Sequence, residues 1–185
     1  MRITFATGNQ HKADKTAQLL GRDLDHEKID LDELQTTDLA ELLEHKVRQA
    51  YDKLQRPVIV DDYGLGFDAL NGLPGPFIKF FIEPEDGVEK LCRMLDSLET
   101  RRARTVCAIA FFDGKTLKVF EKTLFGEIAQ HPIGENGIYT DRIFMPDGWQ
   151  GKTRAQLNDA EYDTVYMEVR PLAELKEFLD DYYGK

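Results

Sequence analysis

Three consecutive β-branched residues, Val58-Ile59-Val60, follow a long helical pattern and end in two adjacent carboxylates, Asp61-Asp62. A continuous β-branched run is expected of a buried strand. The pattern before it is equally firm. Asp38 is a good N-cap with Glu41 three residues on, as in a capping box. Leu39, Leu42, Leu43, Val47, Ala50 and Leu54 recur at helical spacing, and Gln55-Arg56-Pro57 stops the run. Residues 2–6 read as a short buried strand, 11–20 as a helix closed by Gly21, and 23–32 as a mixed segment that can hold a second strand. A short strand is possible near Gly66–Ala69, ahead of the turn-rich 71–76. Residues 86–98 look helical. Segments 104–112 and 116–125 flank Asp113-Gly114-Lys115 as a hairpin would. Residues 132–151 read as loop, 163–169 as a strand, and Pro171 opens a last helix. This order predicts an α/β (mixed α+β) chain, a mixed sheet with flanking helices.

The 185 residues suffice for one large or one two-lobed domain, residues 1–185, with a substantial core. No apolar run approaches the ~20 residues of a membrane helix, and the first residues lack the apolar region of a signal peptide. Cys92 and Cys107 fit neither a disulfide framework nor a metal site, so buried thiols and a cytoplasmic setting are expected. The formal net charge of −10 argues against a broad nucleic-acid surface. It leaves room for a small phosphorylated ligand held by a few lysines and a divalent cation.

Two places are suited to such a ligand. Thr7-Gly8-Asn9-Gln10-His11-Lys12 stands where a strand hands over to a helix. Helix N-termini favour anions, and Gly8 allows close backbone approach. His11, Lys12 and Lys15 lie at the wrong end of a helix for its dipole, a conflict that an anion would relieve. The plain alternative is a solvated turn. Asp61-Asp62, at the carboxyl end of a strand, could hold Mg²⁺ or take a proton from water, or one Asp could simply cap a turn. Glu33 and Lys46 extend the set. Lys46 sits near the apolar stripe of its helix, as a snorkelling lysine or as a cation aimed at a polyphosphate. Lys79 carries the same ambiguity.

Taken in order, these segments resemble the Ham1 or inosine-triphosphatase family. Thr7-Gly8-Asn9 with Lys12 matches its TGNxxK motif, and Leu31-Asp32-Glu33-Leu34-Gln35 the segment of its metal-binding glutamate. His45-Lys46 falls at the place of a phosphate-binding lysine. The run from Val58 to Phe81, VIVDDYGLGFDALNGLPGPFIKFF, is the closest match, and Ile143-Phe144-Met145-Pro146-Asp147-Gly148 matches part of a further motif. The resemblance implies an elongated twisted mixed sheet forming two lobes around a nucleotide cleft, usually in a homodimer. It implies a reaction too: a nucleoside triphosphate and water give the monophosphate and pyrophosphate, with Mg²⁺ (or Mn²⁺) as cofactor. In that reading Asp62 is the general base beside Asp61, with Lys46 in the catalytic set. Glu33, Asp61 and Asp62 hold metal, and Thr7, Gly8, Asn9, Lys12, Gly64 and Lys79 meet the substrate.

The departures fall mainly on base recognition. Tyr63 stands where the family has Ser or Thr. The aromatic motif before Ile143-Phe144 reads Ile138-Tyr139-Thr140-Asp141-Arg142, so its stacking aromatic becomes Thr140, next to Tyr139. The family's later lysine and its Ser-His-Arg triplet, which read a purine 6-keto group, are missing. The triplet falls on Tyr166-Met167-Glu168 or Glu168-Val169-Arg170. An acceptor such as Glu168 suits an amino group better than a keto oxygen, so an altered base preference is expected. The other reading is a nucleotide-binding module that has lost catalysis, with Tyr63 filling part of the phosphate site.

Overall fold

A computed structural model describes residues 2–184, apart from the side chain of His11. Among these residues the chain runs β1 (Ile3–Ala6), α1 (Gln10–Leu20), β2 (Leu24–Glu27), α2 (Leu39–Leu54) and β3 (Val58–Phe67). It continues through β4 (Pro74–Gly75), α3 (Ile78–Ile82), α4 (Gly87–Met94), β5 (Arg102–Phe112) and β6 (Leu117–Ile128). β7 (Phe144–Pro146), α5 (Asp159–Val169) and α6 (Leu172–Tyr183) complete it. The strands form one mixed sheet in the order β2-β1-β3-β5-β6-β7, with β4 added on β3. β1 lies parallel to both β2 and β3, whereas β4 on β3 and β7 on β6 are antiparallel. The expected mixed α/β class is what the chain adopts.

The chain divides into two compact units. The first comprises the residues up to Asp62, Cys107–Glu121 and those from Arg170 onward. In it Ile3, Phe5, Val58, Ile59 and Val60 are fully buried, as the β-branched run predicts, and α2 adds Leu43 and Val47. Asp38 caps α2 by accepting from the Ala40 and Glu41 N–H groups, at 2.9 and 3.1 Å. The turn between β5 and β6 is held by Asp113, whose carboxylate accepts from Lys115 and Thr116 N–H. Gly114 takes a left-handed φ of 91° there, under the Tyr51 ring.

The second unit comprises Tyr63–Val106 and Lys122–Val169. Its core gathers Leu65, Phe67, Ile78, Leu91, Leu95, Ile128, Ile143 and Phe144, with Tyr63 packed against it. The free thiols of Cys92, here, and Cys107, in the first unit, are both buried.

Three local expectations change. The possible strand at 66–69 is the end of β3 followed by one turn of 3₁₀ helix at Asp68–Leu70. The loop expected over 132–151 contains β7, which recruits Phe144–Pro146 onto Ile128–Gly126. Residues 163–169 are not a strand but the second half of α5. Val165, Tyr166 and Val169 bury one helical face, and their strand-forming character misled a reading by residue type. The local signal was upstream: Asn158 Oδ1 accepts from Glu161 N–H while Glu161 accepts from Asn158 N–H, both at 3.0 Å, a reciprocal helix start.

Candidate active site

In the first unit, β1 ends where α1 begins. Asn9 is the N-cap and its side-chain oxygen accepts from Lys12 N–H at 3.1 Å. Thr7 Oγ accepts from Asn9 N–H, and His26 Nε2 donates to the Thr7 carbonyl at 2.6 Å. His26 is a positioning contact that the sequence did not single out. Its partner lies nineteen residues away, with nothing local to flag it. Gly8 is exposed, and a Cβ there would touch only the Lys28 side chain, at 4.0 Å. The turn is therefore open toward solvent, with helix N–H groups close by.

β3 lies parallel to β1 with Ile59 level with Phe5. Continuing that register brings Asp61 level with Thr7, at the same end of the sheet. Lys12 Nζ is 2.6 Å from Asp61 Oδ2, and Arg170 Nη1 is 3.0 Å from the same oxygen. The Asp61 side chain is only 4% exposed. Burial works to raise its pKa, but Lys12 and then Arg170 outweigh it and hold the carboxyl below the usual range. Arg170 also reaches the Cys107 sulfur, 3.6 Å away, whose thiol burial pushes up to about 11. Arg170, expected at the base, is thus an ion-pair partner of Asp61.

Asp62 has a different partner. Lys46 Nζ lies 2.8 Å from Asp62 Oδ2 and 3.2 Å from Glu33 Oε1. One ammonium bridges two carboxylates drawn from β3 and from the segment before α2. Burial opposes the charge on Lys46, but Asp62 and then Glu33 prevail and raise its pKa. Snorkelling does not describe this side chain, which is 13% exposed and directed into an ion-pair array.

The carboxylates divide as possible metal ligands. Glu33 and Asp62 converge on a single cationic point, a donor set that fits a hard divalent cation bound through oxygen. Asp61 does not join them: its buried carboxylate is engaged by Lys12 and Arg170. Among the described residues no three His, Cys, Asp or Glu side chains gather as a metal-holding group. The expected trio of Glu33, Asp61 and Asp62 is therefore not assembled.

The remaining expected substrate residues lie in the second unit. Tyr63 donates its hydroxyl to Thr140 Oγ at 3.3 Å. Gly64 is packed against Gly75 and Pro76, whose backbone a Cβ would crowd at 3.0–3.3 Å. Lys79 is largely exposed, 3.9 Å from Glu83. Tyr139 is exposed, whereas Thr140 and Asp141 are buried. Tyr166 is buried in α5, and Glu168 accepts from the Trp149 indole at 3.4 Å. Two residues that the sequence did not single out enclose Asp141. Arg154 Nη1 is 3.1 Å from Oδ1, and the Tyr162 hydroxyl donates to Oδ2 at 3.0 Å. Only the folded chain brings these side chains together.

Fold and site define a mixed α/β protein with an open helix N-terminus beside paired ammonium and carboxylate groups, an arrangement suited to a phosphorylated ligand. The Ham1 family profile matches residues 3–178. The inosine triphosphate pyrophosphatase of Kluyveromyces lactis is 39% identical, covering 96% of this chain and 95% of that protein. The dITP/XTP pyrophosphatase of Methanopyrus kandleri is 34% identical over 96% of each. The solved structure of the Staphylococcus aureus Ham1 protein superposes with a TM-score of 0.85 at 29% identity, covering 98% of this chain and all of that one. The chain belongs to the Ham1 family. Among the described residues, no helix is long and apolar enough to cross a membrane.

Proposed function

We propose that this chain is a nucleoside triphosphate pyrophosphatase that uses a divalent cation and has an altered base preference. The observation that carries the reading is the Lys46 ammonium bridging Glu33 and Asp62. Charges are stored there in the combination that a triphosphate, a cation and an attacking water require.

The reaction is hydrolysis of the α–β phosphoanhydride. Water adds at the α-phosphorus, pyrophosphate leaves, and the monophosphate keeps the new oxygen. Asp62 takes the proton from the attacking water. Lys12 and Lys46 neutralise the phosphate oxygens, and the open Thr7-Gly8-Asn9 turn offers backbone N–H groups to them. Glu33 and Asp62 would hold Mg²⁺, or Mn²⁺ in its place. When bound, that cation would place positive charge where the phosphate oxygens gain negative charge in the transition state. Asp61 acts indirectly, by orienting Lys12.

The altered base preference is supported by the residues at the positions of the family triplet. Tyr166 is core, Glu168 is an acceptor engaged by Trp149, and Arg170 is committed to Asp61. Exposed Phe80 and Phe81 and half-exposed Leu73 in the second unit support a homodimer. The reading of a module without catalysis depends on Tyr63 filling the phosphate site, and its bond to Thr140 weighs against that.

A pyrophosphate-release screen over common and modified NTPs and dNTPs with Mg²⁺ tests the proposal. Release from one or a few nucleotides is expected. Tight binding without release from any of them would return the protein to the non-catalytic reading.

A further inference from the structure

We infer that Arg170 is a positioning residue for phosphate capture: it keeps the buried Asp61 carboxylate paired when the Lys12 ammonium leaves that carboxylate for a phosphate oxygen. The inference rests on the proposed triphosphate substrate and concerns the first unit alone, to which all three residues belong.

The ion pairs formed by Asp61 and Asp62 are of opposite kinds. Around Lys46 one ammonium serves two carboxylates, Glu33 at 3.2 Å and Asp62 at 2.8 Å, so negative charge is in surplus. Around Asp61 one carboxylate oxygen serves two cations, Lys12 at 2.6 Å and Arg170 at 3.0 Å, so positive charge is in surplus. The first group suits a divalent cation, and the second suits an anion. One cation is enough to neutralise a carboxylate, so one of the two at Asp61 can be given up without stranding a buried charge.

The surroundings decide which cation moves. Lys12 lies in the first turn of α1, after the Asn9 N-cap and close to the exposed Gly8. Its ammonium stands at the positive end of the helix dipole, with no acidic residue in that turn. A phosphate at the helix N-terminus would come within reach of its flexible four-carbon stem. Arg170 is fixed from behind. It lies between α5 and α6, with its guanidinium 3.6 Å from the buried Cys107 sulfur. α6 buries Leu172, Leu175 and Leu179. Arg22 ties the far end of α6 to the turn after α1, through Asp180 at 2.9 Å and the Gly184 carbonyl at 2.7 Å. Side-chain exposure follows the same order, 24% for Lys12 against 16% for Arg170, with Asp61 at 4%. Without Arg170, withdrawal of Lys12 would leave the Asp61 charge buried and unpaired, which is strongly unfavourable. Lys12 would then stay on the carboxylate and be lost to the phosphate.

Calorimetric titration with inorganic triphosphate and Mg²⁺ tests this without turnover. Arg170→Met keeps an apolar stem and removes the charge. It should weaken binding by roughly 10- to 100-fold, the order of one hydrogen bond to a charged group, and match Lys12→Met. In steady-state hydrolysis the loss should fall on KM, with a smaller change in kcat. Once Asp61 is neutral, Lys12 needs no release, so adding Arg170→Met to Asp61→Asn should leave triphosphate affinity unchanged. Neither protein of that second pair strands a buried carboxylate, and their comparison stands even where Arg170→Met alone is too unstable to titrate. An arginine that merely braces α6 would weaken binding equally with Asp or Asn at 61 and lower the melting temperature in both. That result overturns the inference, as does triphosphate binding by Arg170→Met as tight as in the unaltered protein. Absence of pyrophosphate release by the unaltered protein would count against the proposed reaction, not against this exchange of partners.

Discussion

The Tyr63 hydroxyl donates to Thr140 Oγ at 3.3 Å. The pair joins β3 to the 137–142 turn within the second unit. Tyr63 packs against the core of the second unit, and Thr140 is buried. The hydrogen bond is long for O–H···O, so packing of the ring carries most of the energy of the pair. Tyr63→Phe should therefore cost less than about 1 kcal/mol of stability. Tyr63→Ser should cost more, about 2–4 kcal/mol, because it opens a void beside the core. Denaturant unfolding of both variants checks the order, and a reversed order would make the hydroxyl the main contribution.

Asp62→Asn should lower kcat at least ~10²-fold with an unchanged melting temperature to within a few degrees, since it removes the proposed base while keeping the shape. Steady-state pyrophosphate release measures it. Undiminished turnover would move the base elsewhere.

Lys12 and Arg170 keep Asp61 ionised in the folded protein at lower pH than in the unfolded chain. The stability this adds is fully present above the unfolded carboxylate value, about 3.9. It is lost as pH falls below that value toward the folded one. The melting-temperature gap between the unaltered protein and Asp61→Asn should thus be constant from pH 7 to 5 and shrink from pH 4 to 3. A gap unchanged at pH 3 would mean that the pairing does not depress this carboxyl.

Activity should disappear in EDTA and return with Mg²⁺ or Mn²⁺, because Glu33 and Asp62 form an all-oxygen donor pair. Glu33→Gln should raise the Mg²⁺ concentration needed for half-maximal rate. Full activity of metal-free protein would remove the cation from the reaction.

Substrate choice is the sharpest test of the proposed base preference. Comparing kcat/KM for ITP, ATP, GTP and CTP should show less than ~10²-fold preference for ITP over every amino-bearing nucleotide. Discrimination on a larger scale needs dedicated donors to the 6-keto oxygen. Arg170, the nearest such donor in the sequence, is bonded to Asp61.

Local sequence determined whatever neighbouring residues decide between them. The Val58–Val60 run became a buried strand because its β-branched side chains are all apolar and contiguous. Although the Glu41 side chain accepts from Thr36 Oγ rather than closing the expected capping box, Asp38 started α2 through bonds that reach two and three residues on. Asn9 did the same for α1. α5 was legible in principle from Asn158 and Glu161, and it was missed because Val165, Tyr166 and Val169 have strand-forming side chains. Tertiary structure decided the partners. Lys46 could be recognised as an unusual cation on an apolar stripe, but its bridging of Glu33 and Asp62 exists only in the folded chain. Asp61 and Asp62 are adjacent in sequence and chemically identical, yet alternation along β3 sends them to different partners. One is buried between Lys12 and Arg170, 109 residues away, and the other faces Lys46. Charge pairing is a property of distance in space, and no spacing along the chain encodes which of two neighbouring carboxylates meets which cation.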